Sequence, residues 1–337
     1  MLTNRQEEVL KLIIEEYIRT AEPIGSRTLS KLLDFSPATI RNEMADLEDL
    51  GYIEKTHTSS GRVPSDKGYH YYIETILTDD DTFDKSFNVI DELFSNASMK
   101  RDEAITQAMN LLSQLTNYTT IALGGNAYGS KIKKIELIPL YDKTCVLLIV
   151  TNQGHVESKQ ITIPENTSLE DMKRVMELFN EILFDCPISQ VSEKLHYEIN
   201  AERIKEILIY NQTIIDTFLD AFTKFTQSKY YLSGKNKMLY QPEFNDVQRV
   251  RELLSFFEQN DIFRLVENTQ NQGLSVTIGK ENQVRAMRDC TVITVPYQLN
   301  GDNTGTIAIV GPTRMEYQKV IPLVKYLASH MSKFYKE

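Results

Sequence analysis

An α+β chain of more than one domain is predicted by three observations. Helix-periodic stretches crowd the first 50 residues, a short cationic hairpin pattern follows, and strand-length apolar runs then alternate with longer helical patterns. At 337 residues the chain is too long for one core, since domains usually run to about 100–200 residues. With 41% hydrophobic and 25% charged residues, and only 10 Pro and 14 Gly, it has enough apolar material to offset chain entropy, which excludes large-scale disorder.

Thr3 with Gln6 three places on reads as a capping box. Val9, Leu10, Ile13, Ile14, Tyr17 and Ile18 then recur as one helical stripe, ending at Thr20 to Pro23. A shorter helix from about Ser26 carries Leu29, Leu32 and Leu33 on one face. Ser36-Pro37, a capping hydroxyl before a proline suited to the first helical position, opens a third helix that runs to Leu50, with Gly51 at the left-handed stop. Tyr52 to Lys55 is a short strand, Thr56 to Gly61 a turn, and Arg62-Val63 the returning strand. Pro64-Ser65-Asp66 then caps a fourth helix, GYHYYIETIL. Helix, helix, helix and hairpin in this order make a winged helix-turn-helix.

On the third helix Ile40, Met44, Leu47 and Leu50 lie on one side, while Ala38, Asn42, Ala45 and Asp49 face the other, flanked by Thr39 and Arg41. Acids crowd its second half (Asp46, Glu48, Asp49), and its first half, from Ser36 to Asn42, has none. A helix entering a major groove by its N-terminus needs that asymmetry: Arg bridges guanine O6/N7, Asn bridges adenine N6/N7, and a small Ala38 permits close approach. Taken alone, the helix reads equally well as an ordinary surface helix. The hairpin shifts the balance, because KTHTSSGRVPS from Lys55 to Ser65 has two cations, a His and no acid. Gly61 would let the backbone approach, Arg62 would reach a phosphate or the minor groove, and Lys55, His57 and Lys67 would add phosphate contacts. Ser26 and Arg27, opening the second helix, complete the DNA-facing set.

Charge neither forbids nor demands this reading. The chain has a formal net charge of −10, and residues 1–72 hold 9 Lys/Arg against 12 Asp/Glu, but a DNA reader needs a basic patch and not a basic whole. The longest strongly apolar run, Cys145 to Val150, is far short of the ~20 residues of a membrane-spanning helix. The charged, helix-periodic N-terminus is unlike a signal peptide. Three scattered cysteines, Cys145, Cys186 and Cys290, fit neither a disulfide framework nor a metal site, and the expected location is the cytoplasm, in association with the nucleoid. The five histidines are dispersed, with no HExxH, GxSxG or Walker loop, so neither catalysis nor a cofactor or metal is expected. Cys145 and Cys290 lie in apolar strands and are read as core.

Beyond the fourth helix, 79–99 is an acidic helical connector, and a helix is expected from about Asp102 to Leu115. Thr119 to Gly125 is a strand, and Gly124, Gly125 and Gly129 lack the spacing of a phosphate cradle and read as a loop. KIELIPLY, CVLLIVTN and HVESKQITI form a predicted antiparallel meander, followed by helices over Ser168–Phe184 and from about Glu202 to Tyr230. After a break at 233–236 come a helix over Asp246–Gln259 and strands over Gly273–Gly279, Cys290–Gln298 and Thr306–Val310. A hairpin turn at 300–303 and a closing helix over Pro322–Phe334 complete the reading.

EPIGSRTLSK and SPATIRNEMADLEDLGYIEKTHTSSGRVPSDKGYHYYI resemble the N-terminal domain of the HrcA family, bacterial heat-inducible transcription repressors. GTIAIVGPTRMEYQKVIPLVKYLA, with VTIGKEN, resembles that family's C-terminal part. His70 departs from the arginine the family often carries. The resemblance implies a winged-helix domain over 1–78, a GAF-like α+β domain over 79–129 and 234–337 that includes the connector 79–101, and an inserted dimerisation domain over 130–233. It also implies a homodimer on an inverted-repeat operator ahead of chaperone and chaperonin operons, and a GroEL-type chaperonin as feedback partner. The alternative is a winged-helix regulator controlled by a small metabolite in the GAF-like domain.

Overall fold

The computed structural model describes residues 2–56, 61–78, 87–95, 99, 101–124, 131–152, 154, 156–163, 167–200, 218, 230–258, 262, 265, 273–299 and 304–334. The architecture is α+β, with an N-terminal winged helix and antiparallel sheets beyond it. The winged helix comprises α1 (Asn4–Thr20), α2 (Ser26–Leu29), α3 (Pro37–Asp49), β1 (Ile53–Lys55), β2 (Arg62–Pro64) and α4 (Asp66–Thr78). Local signals account for its ends. Thr3 accepts from the Gln6 amide and Gln6 returns the bond, which completes the box. Ser36 Oγ accepts from the Thr39 amide at 3.1 Å. Gly51, at φ +77°, closes α3, with Gly51 and Tyr52 amides donating back to Glu48 and Leu47. Two apolar expectations differ: Leu32 is 54% exposed and Leu50 48% exposed, because α2 stops at Leu29 and α3 at Asp49, before either can turn onto the core face.

Two further helices, α5 (Asn88–Phe94) and α6 (Arg101–Thr116), lead into β3 (Thr119–Leu123). A three-stranded meander follows, β4 (Ile132–Tyr141), β5 (Thr144–Thr151) and β6 (Val156–Thr162), packed on α7 (Leu169–Leu183) and then α8 (Val191–Asn200). Pro139 is tolerated because β4 is an edge strand with a register shift beside it. The expected helix from Glu202 to Tyr230 lies almost wholly outside the described residues, and Tyr230 itself is strand. Helix α8 was not anticipated.

The chain then returns to the first sheet: β7 (Tyr230–Ser233), α9 (Val247–Glu258), β8 (Ser275–Ile278), β9 (Cys290–Gln298), β10 (Thr304–Pro312) and α10 (Tyr317–Phe334). The five-stranded order is β7-β3-β10-β9-β8, antiparallel throughout. Strand alternation divides it into two buried faces. Ala122, Ile293, Val295, Ile307 and Ile309 join α6, α10 and the winged helix, while Ile121, Leu123, Val292, Ala308 and Val310 meet Phe256 and Phe257 of α9. The meander, α7 and α8 have a separate core. Tyr230–Ser233, inside the stretch that the sequence reading assigns to the inserted domain, pairs with β3 in the main sheet. The closing helix begins five residues early, with Pro322 inside it. The expected turn at 300–303 lies outside the described residues.

Winged helix and sheet share one core, and polar contacts fix how they meet. Arg314, after β10, pairs with Glu243 and donates to the Ile18 carbonyl at 3.1 Å and to Gln241 at 3.4 Å. The Lys280 amide donates to Asp66 Oδ2 at 3.2 Å, and Gln318 donates to Glu15 at 3.1 Å. His70, where the family often carries arginine, meets Glu281 at 2.7 Å across this junction. The rings of Tyr69 and Tyr317 meet tilted, with centroids 5.7 Å apart, and burial pushes both phenols well above their ordinary pKa. Replacing Arg314 by Met should cost roughly 2–4 kcal/mol of unfolding free energy, less than for a fully buried pair because Glu243 is 23% exposed. Adding Glu243→Gln should recover part of it; denaturant melts of both variants check this.

Candidate nucleic-acid interface

The helix α3 presents a split surface. Ala38, Arg41 and Asn42 are exposed and Thr39 is half-buried, while Ile40, Met44 and Leu47 are buried against α1 and α2. No acid occupies its first turn. Ser36 is exposed, but its hydroxyl is engaged as the helix cap and lies 2.9 Å from Thr39 Oγ1. Arg27 is exposed and Ser26 half-buried. Among the described residues the side chains of Arg27, Lys31 and Arg41 carry no ion-pair partner.

Three acids of α3 are engaged within the protein, while Asp49 is exposed at its end. Glu43 pairs with Arg5 at 3.2 Å, Asp46 accepts from Gln6 at 3.4 Å, and Glu48 takes both Arg62 at 2.7 Å and Lys55 at 3.3 Å. The two acids toward the middle of α3 are thus drawn to the start of α1, and Glu48 is drawn to the wing. The exposed first half is left as the cationic end.

The hairpin is tied down on both sides. Lys55 lies opposite Arg62 in the β1–β2 ladder, and the Arg62 main chain exchanges bonds of 2.8 and 2.9 Å with Ile24. The Arg62 side chain is only 14% exposed, and its guanidinium faces Glu48. Lys67 donates to the Leu50 carbonyl at 2.8 Å and lies 4.4 Å over the Tyr52 ring, a cation placed where the end of α3 is negative. His57 lies outside the described residues. Gly61 is buried: a Cβ there would come 2.7 Å from Pro23 Cβ and 2.8 Å from Pro23 main-chain atoms. Glycine at 61 is therefore explained by packing of the hairpin on the α1–α2 loop.

Sequence reasoning overlooked Lys31 and Glu48. Lys31 lies in the turn just beyond α2, and no local signal sets it apart from other exposed lysines. The signal for Glu48 was a carboxylate in the last turn of a helix, where the dipole disfavours it. No group of three or more His, Cys, Asp or Glu among the described residues is arranged to hold a metal ion. Burial raises the thiol pKa of Cys145, Cys186 and Cys290, the last most strongly, and all three are core residues. Among the described residues no helix is long and apolar enough to cross a membrane.

A recognition helix with an acid-free, exposed start beside an anchored hairpin defines a winged-helix DNA-binding protein. A model of the winged helix-turn-helix transcription repressor, HrcA DNA-binding, matches residues 1–75, and one of the HrcA protein C-terminal domain matches 102–321. The heat-inducible transcription repressor HrcA of Acholeplasma laidlawii (strain PG-8A) is 41% identical over 339 residues, covering 100% of this chain and 98% of that protein. Its counterpart in Bacillus pumilus (strain SAFR-032) is 40% identical, covering 98% and 97%. A crystal structure of a hypothetical protein, 23% identical, superposes with a TM-score of 0.64 over 99% of each chain, a likeness of fold. The chain belongs to the HrcA family of heat-inducible transcription repressors, which are DNA-binding proteins and not enzymes.

Gly61→Ala should lower stability by about 1–3 kcal/mol, because the new methyl meets main-chain atoms that cannot rotate away. Thermal melting of the purified variant reads the loss.

Proposed function

We propose that this repressor binds an inverted-repeat operator ahead of chaperone and chaperonin operons as a homodimer, and so blocks their transcription. The observation that carries the reading is the exposed, acid-free first half of α3, with Ala38, Arg41 and Asn42 on its surface. Arg41 and Asn42 read base edges, and Ala38 lets the helix come close. Ser26, Arg27, Ser36 and Thr39 meet the sugar–phosphate backbone at the helix ends. Lys55, Arg62 and Lys67 meet the backbone from the wing side, with Lys55 and Arg62 shared with Glu48; the buried Gly61 serves through the packing of the hairpin, and His57 is proposed as a further phosphate contact.

Two-fold pairing of protein matches two-fold symmetry of operator. Support for self-association comes from the open face of the meander. Ile138 (39% exposed) and Val156 (53% exposed) flank the partly exposed Val146 and Val150 to which they are paired. Family resemblance supports the rest: a GroEL-type chaperonin favours the binding-competent repressor in the cytoplasm, and heat diverts it to unfolded proteins.

Arg41→Ala should cost about 1–3 kcal/mol and relax preference at one base pair of each half-site. Gel shifts on single-base operator variants check this, and a uniform loss on every sequence would remove Arg41 from the base-reading role. Val156→Glu should shift the protein toward monomer in sedimentation and weaken operator binding with it. Footprints over the gene's own upstream region and the chaperonin promoter test the assignment of targets.

A further inference from the structure

Glu48 is poorly placed for helix electrostatics and well placed for another purpose. It occupies the last turn of α3, where the carbonyl end of the helix disfavours a carboxylate. Both its oxygens are in use. Arg62 Nε and a terminal guanidinium nitrogen each lie 2.7 Å from Oε2, and Lys55 Nζ lies 3.3 Å from Oε1. Lys55 and Arg62 stand directly opposite in the antiparallel hairpin, where like charges repel. One carboxylate bridges them, as a phosphate would.

We propose that Glu48 is a specificity-determining positioning residue that stands in for DNA phosphate at the base of the wing. It holds Lys55 and Arg62 in register with the recognition helix, and it limits how much of their charge a sequence-independent backbone contact can use. The inference rests on the DNA-binding reading of α3 and the hairpin. Non-specific affinity comes from cations that displace condensed counterions, and a cation already paired inside the protein displaces fewer. A complex seated through base contacts still gains the fixed position of the wing. The carboxylate therefore weakens non-specific binding more than specific binding, and the ratio of the two is what matters among many competing sites.

The test uses full-length wild type, Glu48→Gln, Lys55→Met and the double variant. Binding is titrated against salt on a fragment of the gene's own upstream region and on scrambled duplex of equal length. Glu48→Gln should bind scrambled DNA several-fold tighter, steepen the log K against log[salt] slope by about 1–2, and lower the ratio of specific to scrambled affinity. Lys55→Met should barely move the slope in the wild-type background and should flatten it by about 1 in the Glu48→Gln background. Equal effects of Lys55→Met in both backgrounds, or an equal loss on both DNAs with Glu48→Gln at unchanged slope, would overturn the proposal. If Glu48→Gln does not fold, Lys55→Met alone decides: a slope change of about 1 in otherwise wild-type protein rejects the idea. Wild-type protein that binds neither duplex at low salt would sink the DNA reading itself, a result distinct from the others.

Discussion

A single guanidinium sets the relation between the reading head and the rest of the molecule. Arg314 leaves the end of β10, pairs with Glu243, and donates to the Ile18 carbonyl near the C-terminal end of α1. Desolvating two charges is expensive, and a hydrophobic pair of similar volume often does as well for stability alone. What the ion pair adds here is a polar tie between α1 and the sheet, since Arg314 meets Glu243 and the Ile18 carbonyl together. Glu15, Asp66 and His70 repeat that constraint along α1 and α4, each with a partner from 280–318. Because α3 packs on α1, the direction of the recognition helix is set from the far end of the chain.

That constraint explains which parts were legible in the sequence. The winged helix announced itself through short-range signals: the Thr3–Gln6 box, Ser36-Pro37, Gly51 and the stripe of Val9, Ile13 and Ile14. Each depends on residues within one or two turns, and tertiary packing had no reason to overrule it. The partners of polar residues were not legible. Glu43 and Asp46 find theirs 38 and 40 positions away, and His70 finds Glu281 at a separation of 211. Nothing local distinguishes a lysine that will cap a helix, such as Lys67, from one left in solvent, such as Lys31.

Element ends were misjudged where packing supplied the deciding force. Leu32 and Leu50 have the right spacing for a buried face, yet the turns after α2 and α3 carry them outward. Tyr230–Ser233 continues a stretch that reads as helix, and it becomes strand because β3 offers an open edge to pair with. Pro322 looks like a helix start and is internal, its missing amide tolerated in a helix whose buried face includes Tyr317, Val320, Ile321 and Val324. At Pro322 side-chain burial outweighs a backbone preference of about 3 kcal/mol, at β7 pairing with β3 decides, and at Leu32 and Leu50 the turns prevail over apolar spacing.

The same accounting of partners resolves an apparent paradox of charge. Residues 1–72 carry 12 acids against 9 cations, and the family binds a polyanion. Were those acids evenly exposed, the surface would repel DNA at the range of a Debye length, about 8–10 Å in ordinary salt. They are not evenly placed. Glu43, Asp46 and Glu48 are turned to Arg5, Gln6, Lys55 and Arg62, and Glu15 and Asp66 are drawn into the junction. Arg27, Lys31 and Arg41 have no such partner among the described residues. The sign of the domain as a whole and the sign of its reading face are therefore set by different residues. Among the described residues the exposed start of α3 and the α2 region thus keep cations free of carboxylates, whatever the balance of the domain. A basic domain would bind more tightly everywhere, and for a repressor that must find one site among many, tightness everywhere is a loss of function.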